Sequence, residues 1–383
     1  MLHLRGMTWK HDRGIKPLLA ANEAFKKIHP NVQIDWDARS LQDFERYPLD
    51  LLAKEYDLIM IDHPHIGTAV KQKLLLPLSN YLSEDFLEDQ KKNSVGLSYS
   101  SYEWEGEQWA LAVDAAAQVS AYRKDLLSAS ILSVPKNWSE VQSLIKELPK
   151  GVYIGLPLVP VHAFASFFTL CSQISKQEFW SDETDLNIEA GEQAINILQE
   201  ILPVLHPQSL NSDPIIMSEH MANTNEIAYV PLMYGYSNYA QNGFASNGIH
   251  FGNIPFDEDL PTGSMIGGVG LAISAQCVHI NIVIDYLKMT ADGEFQSTTF
   301  FQNGGQPGHR SAWRNEEVNF ATNDFFRNTL QTLDYGSMRP RFDGYIEFQE
   351  KAGTMIRDFL MEGRTDRKDL IQQLNIQAKK ARK

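Results

Sequence analysis

Cysteine is scarce, with 2 residues in a chain of 383. Cys171 and Cys277 stand far apart and match no metal-ligand spacing, so they read as two free, buried thiols that do not report the redox compartment. No apolar run approaches the ~18 residues a membrane span needs, and no charged-then-apolar segment precedes the first expected strand. Either the chain is naturally leaderless, or a leader has been trimmed and replaced by Met1. Basic charge is also short: Lys and Arg number 34 against 48 Asp and Glu, a formal net charge of −14. That balance excludes nonspecific attraction to nucleic acid or anionic membranes, which requires clustered cations. The one basic cluster, Lys379-Lys380-Ala381-Arg382-Lys383, reads as the solvated end of a C-terminal helix, where cations suit the dipole. Internal repeats and low-complexity linkers are missing. Neither Gly263–Gly270 nor Gly304–Gly308 forms a phosphate loop, because Gly267-Gly268-Val269-Gly270 enters a strand, whereas a dinucleotide loop leaves one.

What is present is an ordinary globular composition, 43% hydrophobic and 21% charged, in a chain longer than one core usually serves. Two lobes are expected. Residues 4–9 read as a strand start. Leu18, Ala21, Phe25 and Ile28 then recur at helical spacing, with Ile15 a turn earlier, Leu19 beside the stripe and Pro17 in the first turn. Pro30 and Asn31 stop that helix. Val32, Ile34 and Trp36 alternate with polar residues as in a half-buried strand, and Leu58-Ile59-Met60-Ile61 reads as a strand buried on both faces. A βαβ-type parallel sheet follows. Further on, 109–127 reads as an extended crossing and a helix start, 139–147 and 192–205 as helices, and 226–233 as a strand. Residues 234–238 read as a turn and helix start, 267–273 as a glycine turn entering a strand, and 280–300 as a helix. Polar turns at 304–310 and 339–343 precede the last helices. In open α/β sheets ligands sit at the ends of parallel strands, so the polar residues after each early strand mark a small-molecule site.

Four stretches in this order resemble a known family: Thr8-Trp9-Lys10-His11-Asp12 before a long helix, and Asp57 to Asp62 followed by a helix and Leu75-Leu76-Pro77-Leu78. The others are Trp109 to Asp114 with Tyr122-Arg123-Lys124-Asp125-Leu126-Leu127, and Gly267-Gly268 to Ile273 before a helix. The chain resembles the extracellular solute-binding proteins of ABC transporters, in the group that includes the maltose-binding and other sugar-binding proteins. No single stretch is diagnostic; their order and separation carry the likeness. The resemblance implies an α/β class and a two-lobed periplasmic-binding-protein type II fold with crossing strands at the hinge. Lobe one would be 1–113 plus 264–312, and lobe two 114–263 plus 313–383. It further implies a ligand held between the lobes by hinge closure, ABC permease subunits as partners, no cofactor, and a periplasmic or cell-surface location. A monomer suits a protein that opens and closes.

A sugar receptor needs polar groups at its edges and aromatic platforms. By position in the family pattern, Trp9, His11 and Asp12 follow the first strand, Asp62 and His63 follow the third, and Asp114 lies on the first crossing. Tyr234 and Tyr236 take the place of a stacking aromatic, Arg341 and Tyr345 come from the late segment, and Gly267 and Gly268 let backbone N–H groups approach the ligand. Each has a structural alternative. Trp9 and Tyr234 could be core aromatics, Asp12 and Asp62 helix caps, and the glycine pair a plain tight turn. Trp104, Trp138, Trp180 and Trp313 read as packing residues. Cations are abundant for a sugar site: Arg39, His63, His65, His309, Arg310, Arg339 and Arg341 all fall in expected loops. Convergence of several would suit a sugar acid or small organic acid, whereas pairing with Asp37, Asp43, Asp334 and Asp343 would leave them structural.

The expected function is therefore capture of a polar small molecule, a carbohydrate or sugar acid, without chemistry. Three rivals remain. Asp62 and Asp114 could be the carboxylate pair of a glycosidase, and Asp62-His63-Pro64-His65 could ligate a metal. Without an export signal, the chain could instead be a cytoplasmic ligand sensor.

Overall fold

The computed structural model describes residues 1–175 and 179–382. Lys383, the last residue of the basic cluster, lies outside them. Among the described residues, eight strands and six long helices carry the architecture. The strands are β1 (Leu2–Trp9), β2 (Val32–Arg39), β3 (Leu58–Ile61), β4 (Leu111–Tyr122), β5 (Tyr153–Ile154), β6 (Ile227–Tyr234), β7 (His250–Gly252) and β8 (Ile266–Ile273); a separate two-stranded hairpin pairs Glu103–Trp104 with Glu107–Gln108. The helices are α1 (Asp12–Ile28), α2 (Pro160–Ser175), α3 (Ile188–Ile201), α4 (Ile280–Ala291), α5 (Tyr345–Met361) and α6 (Arg367–Ala381).

The chain divides into two compact units. Unit 1 holds Met1–Ala116, Gly267–Val318 and Arg341–Asp343, and unit 2 holds Ala117–Ile266, Asn319–Pro340 and Gly344–Lys383. The expected divisions after 113, 263 and 312 differ from the observed ones after 116, 266 and 318 by a few residues. The excursion of Arg341–Asp343 into unit 1 had no counterpart in the sequence reading.

In unit 1, β1 pairs in parallel with β2, from Leu2 opposite Val32 to Trp9 opposite Arg39, and also with β3. α1 makes the crossover and buries Leu18, Ala21 and Phe25. Ile28 at its last turn is exposed, as is Leu19. Against α1 lies α4, whose Tyr286 meets Phe25 edge-on with ring centroids 5.2 Å apart and donates to Asn22 Oδ1 at 3.0 Å. β8 pairs with β3 antiparallel, Gly270 opposite Ile61. The sheet is therefore mixed, not parallel throughout: β8 follows chain that returns from unit 2, and an antiparallel pair needs no crossover helix. Gly267 and Gly268 lie inside β8, not in a turn before it. The helix expected over 280–300 ends at Ala291, and Asp292 caps a new segment through the N–H groups of Glu294 and Phe295.

In unit 2, the C-terminal half of β4 pairs antiparallel with β6, Gln118 opposite Tyr234, and with β7, Ser120 opposite Gly252. β5 pairs in parallel with β6. α2 is buried without a break from Val161 to Cys171, and Phe164 meets the rings of Trp180 and Phe348 at 6.2 and 6.1 Å. Gly353 of α5 faces the Pro160 carbonyl so closely that an added Cβ would fall 2.2 Å from the oxygen. Both cysteines are buried and free. Among the described residues no helix is long and apolar enough to cross a membrane.

Candidate functional site

Unit 1 gathers polar groups where β1 and β3 end. His11 caps α1, its Nδ1 accepting the Arg13 N–H at 3.0 Å. Burial and the Arg13 charge hold the imidazole near a pKa of about 4, so it is neutral at pH 7. Asp12, expected as a cap or ligand group, instead accepts from Lys16 one turn on at 2.6 Å. Asp62 accepts the His63 N–H at 3.0 Å and caps the short turn His63–His65. His63 is fully buried, with its Nδ1 3.4 Å from Asp62 Oδ1 and its ring edge-on to Tyr102.

The centre of this group is an ion pair that the sequence reading missed. Arg13 donates to Asp114 through Nε at 2.8 Å and a terminal nitrogen at 2.6 Å, with side chains 4% and 1% exposed. Burial raises the Asp114 pKa, and the guanidinium opposes that rise. A two-point fork of this kind fixes both carboxylate oxygens. Asp114 is therefore committed to Arg13, a poor arrangement for a glycosidase nucleophile or base.

Several other expected ligand groups have structural partners. Trp9 is buried and packs on Phe44 at 5.5 Å and against Gly14. Gly268, at φ +93°, brings its backbone against β4: an added Cβ would lie 2.4 Å from the Asp114 carbonyl oxygen. The glycine there is explained by strand approach, without invoking a ligand. Arg341 donates from one nitrogen to the carbonyls of Ser100, Ser101 and Glu103 at 3.1, 3.0 and 2.8 Å, and its guanidinium lies over Trp104. Arg39 lies over the Tyr47 ring at 3.7 Å, and Arg310 donates to the Ser94 carbonyl at 3.1 Å. His309 caps the helix Arg310–Arg314, and Trp313 is buried with its Nε1 donating to Pro307 O at 2.7 Å.

In unit 2, Tyr234 ends β6. Its hydroxyl is 3.5 Å from the Ile266 carbonyl and its ring meets His162 edge-on at 6.0 Å. His162 is buried and held near a pKa of about 3, by desolvation first and then by Arg339. Tyr236 is buried just beyond β6. Tyr345 is fully buried against Trp180, with centroids 5.7 Å apart, and belongs to the helical core. Arg339 donates to Gln349 Oε1 at 3.1 Å. Trp138 lines a groove of about 230 Å³ with Gln173 and Phe256, and its Nε1 donates to Gln173 at 3.2 Å.

Residues 10–194 match the model of a family described as bacterial extracellular solute-binding protein. That match spans a little under half of the chain. Solved structures extend the likeness in fold to almost the whole chain. An ABC transporter solute-binding protein from Agrobacterium radiobacter K84 in complex with ribitol is 16% identical, covers 99% of this chain and 98% of its own, and has a TM-score of 0.82. Maltose-bound MalE3 of T. maritima is also 16% identical at TM-score 0.82, with 99% of each chain covered. A Thermotoga lettingae TMO solute-binding protein bound with α-D-tagatose is 15% identical at 0.81, covering 100% of each. No curated protein matches the chain in sequence. The two-lobed α/β class expected from the sequence is the fold of these solute-binding proteins.

Proposed function

We propose that this chain is the solute-binding component of an ABC importer, working outside the cytoplasmic membrane, and that the two compact units are its two lobes. The observation that carries the reading is the match of residues 10–194 to the extracellular solute-binding family. The fold likeness to binders of ribitol, maltose and tagatose supports a sugar or polyol as the solute class. No catalysis is assigned, since Arg13 occupies both oxygens of the carboxylate a hydrolase would need.

Between a neutral sugar and a sugar acid, the neutral sugar is the better supported. The case for an anionic solute rested on arginines and histidines in expected loops. Arg341 and Arg310 are engaged by backbone carbonyls, Arg339 by Gln349 and Arg39 by Tyr47. Tyr234, half-buried at the end of β6, is the proposed platform for a sugar face, because an aromatic ring covers C–H surface without charge. Asp62, at the end of β3, is the leading hydroxyl acceptor in unit 1. Titration calorimetry with neutral sugars, polyols and the matching sugar acids tests the reading. A neutral compound should bind saturably and be recovered unchanged, and Tyr234→Ala and Asp62→Ala, one variant from each unit, should each weaken binding at least about tenfold, the effect of losing ~1.4 kcal/mol.

A further inference from the structure

His206, His220 and Glu226 converge in unit 2, apart from every residue considered for the solute. Their ligand atoms all lie within 4.8 Å of one another. His220 Nε2 is 2.9 Å and His206 Nε2 3.3 Å from Glu226 Oε2. Donor atoms held about 2.0–2.1 Å from one tetrahedral zinc ion are separated by about 3.3 Å, so both contacts have the scale of a shared ion's coordination shell. The closer contact lacks hydrogen-bond geometry: His220 Nε2 is buried and has no hydrogen-bond partner among the described residues. A ring nitrogen beside a carboxylate oxygen, but not aimed at it, is the arrangement expected when both direct lone pairs at a third atom.

The backbone holds all three positions. The His206 N–H donates to Ile154 O at 2.9 Å, and the Tyr153 N–H donates to Glu226 O at 2.7 Å, so two ligands are tied to successive residues of β5. His220 sits in the last turn of the helix Pro214–Asn223, where its carbonyl accepts from the Thr224 N–H and hydroxyl. Tyr153 packs edge-on to His206 at 5.3 Å, and the two imidazoles lie 4.7 Å apart. Glu226 is about half exposed, which opens the cluster to solvent and to an ion.

We propose that His206, His220 and Glu226 bind a divalent transition-metal ion of the zinc type, with solvent completing the coordination. Two imidazoles and one carboxylate favour zinc and its neighbours over calcium or magnesium, which take oxygen ligands. One cost limits affinity: His206 Nδ1 accepts the Gln208 N–H at 3.2 Å, and coordination through Nε2 moves the ring proton to Nδ1 and gives up that contact.

The test is calorimetric titration of the EDTA-treated, dialysed protein with ZnCl₂ at pH 7.5, with Co²⁺ absorption as a report on ligand geometry. The expected result is one zinc per chain, unaffected by excess Mg²⁺, and an affinity at least tenfold weaker in Glu226→Gln and in His220→Ala, with His250→Ala unchanged. Glu226→Gln is nearly isosteric at an exposed side chain, so it reads the site even where His220→Ala misfolds by circular dichroism. Absence of saturable zinc binding, or binding that persists unchanged in Glu226→Gln and His206→Ala, would overturn the assignment. The assay contains no sugar, so its outcome is independent of the solute reading.

Discussion

Arg13 and Asp114 join the start of α1 to β4, and each is buried enough that removing one strands the other. Asp114→Asn should destabilise the protein by about 3–5 kcal/mol, the cost of an uncompensated buried charge, seen as a lower midpoint in urea unfolding. The double variant Arg13→Met with Asp114→Leu should recover most of that loss, because a well-packed apolar pair replaces a desolvated ionic one at little cost. The pair was partly legible. Arg13 precedes Pro17, Ala21 and Phe25 at intervals of four, so it lies on the buried stripe of α1, where a cation needs a partner. Which carboxylate answers it, 101 residues away, depends on tertiary approach that periodicity does not encode. His11 yields a pH prediction. Its folded pKa, near 4, lies below the ordinary 6.5, so unfolding takes up a proton between those values. The stability it contributes is complete above pH 6.5 and lost as pH falls toward 4. His11→Asn keeps a capping oxygen and removes the titration, so its thermal midpoint should fall less than the parent's between pH 6.5 and 4.

At the scale of elements, β8 shows how a glycine signal can be read correctly in place and wrongly in cause. Gly267-Gly268 suggested a turn opening backbone N–H groups to a ligand, yet both lie within the strand, and Gly268 is required by the Asp114 carbonyl and by its φ of +93°. Gly268→Ala should destabilise by about 1–3 kcal/mol through backbone strain, with clash adding to it, and lower the melting temperature even without solute. α1 and β2 were legible because a periodic apolar face meets the core, and β3 because its apolar run is short enough to suit a strand buried on both faces. α2 was not: from Val161 to Cys171 every residue is buried, so no polar face marks a helical period. The antiparallel entry of β8 was equally hidden, since strand direction follows from the chain's return from unit 2 and leaves no local residue pattern. The break after Ala291 had a visible cue in Asp292-Gly293, a capping residue followed by a poor helix former.

At the scale of the whole molecule, the order of four stretches along the sequence was enough to point to the fold. The candidate site was less legible, because residue type and position identify strand ends but not partners. Tyr345, Trp9 and Arg341 have the right chemistry and are taken up by Trp180, Phe44 and three carbonyls. Of the two solutes expected, a carbohydrate or a sugar acid, the neutral sugar is the one we propose, which makes solute charge the sharpest point of test. At about 100 times its dissociation constant a bound solute adds about 2.7 kcal/mol of stability, so a melting screen finds candidates before calorimetry fixes the affinity. The decisive measurement is the calorimetric titration of paired neutral and acidic forms of the same sugars, with mass spectrometry of the recovered ligand. The account predicts saturable binding of a neutral form, recovered intact and weakened at least tenfold by Tyr234→Ala. Binding confined to the acids, or recovery of a cleaved product, would contradict it.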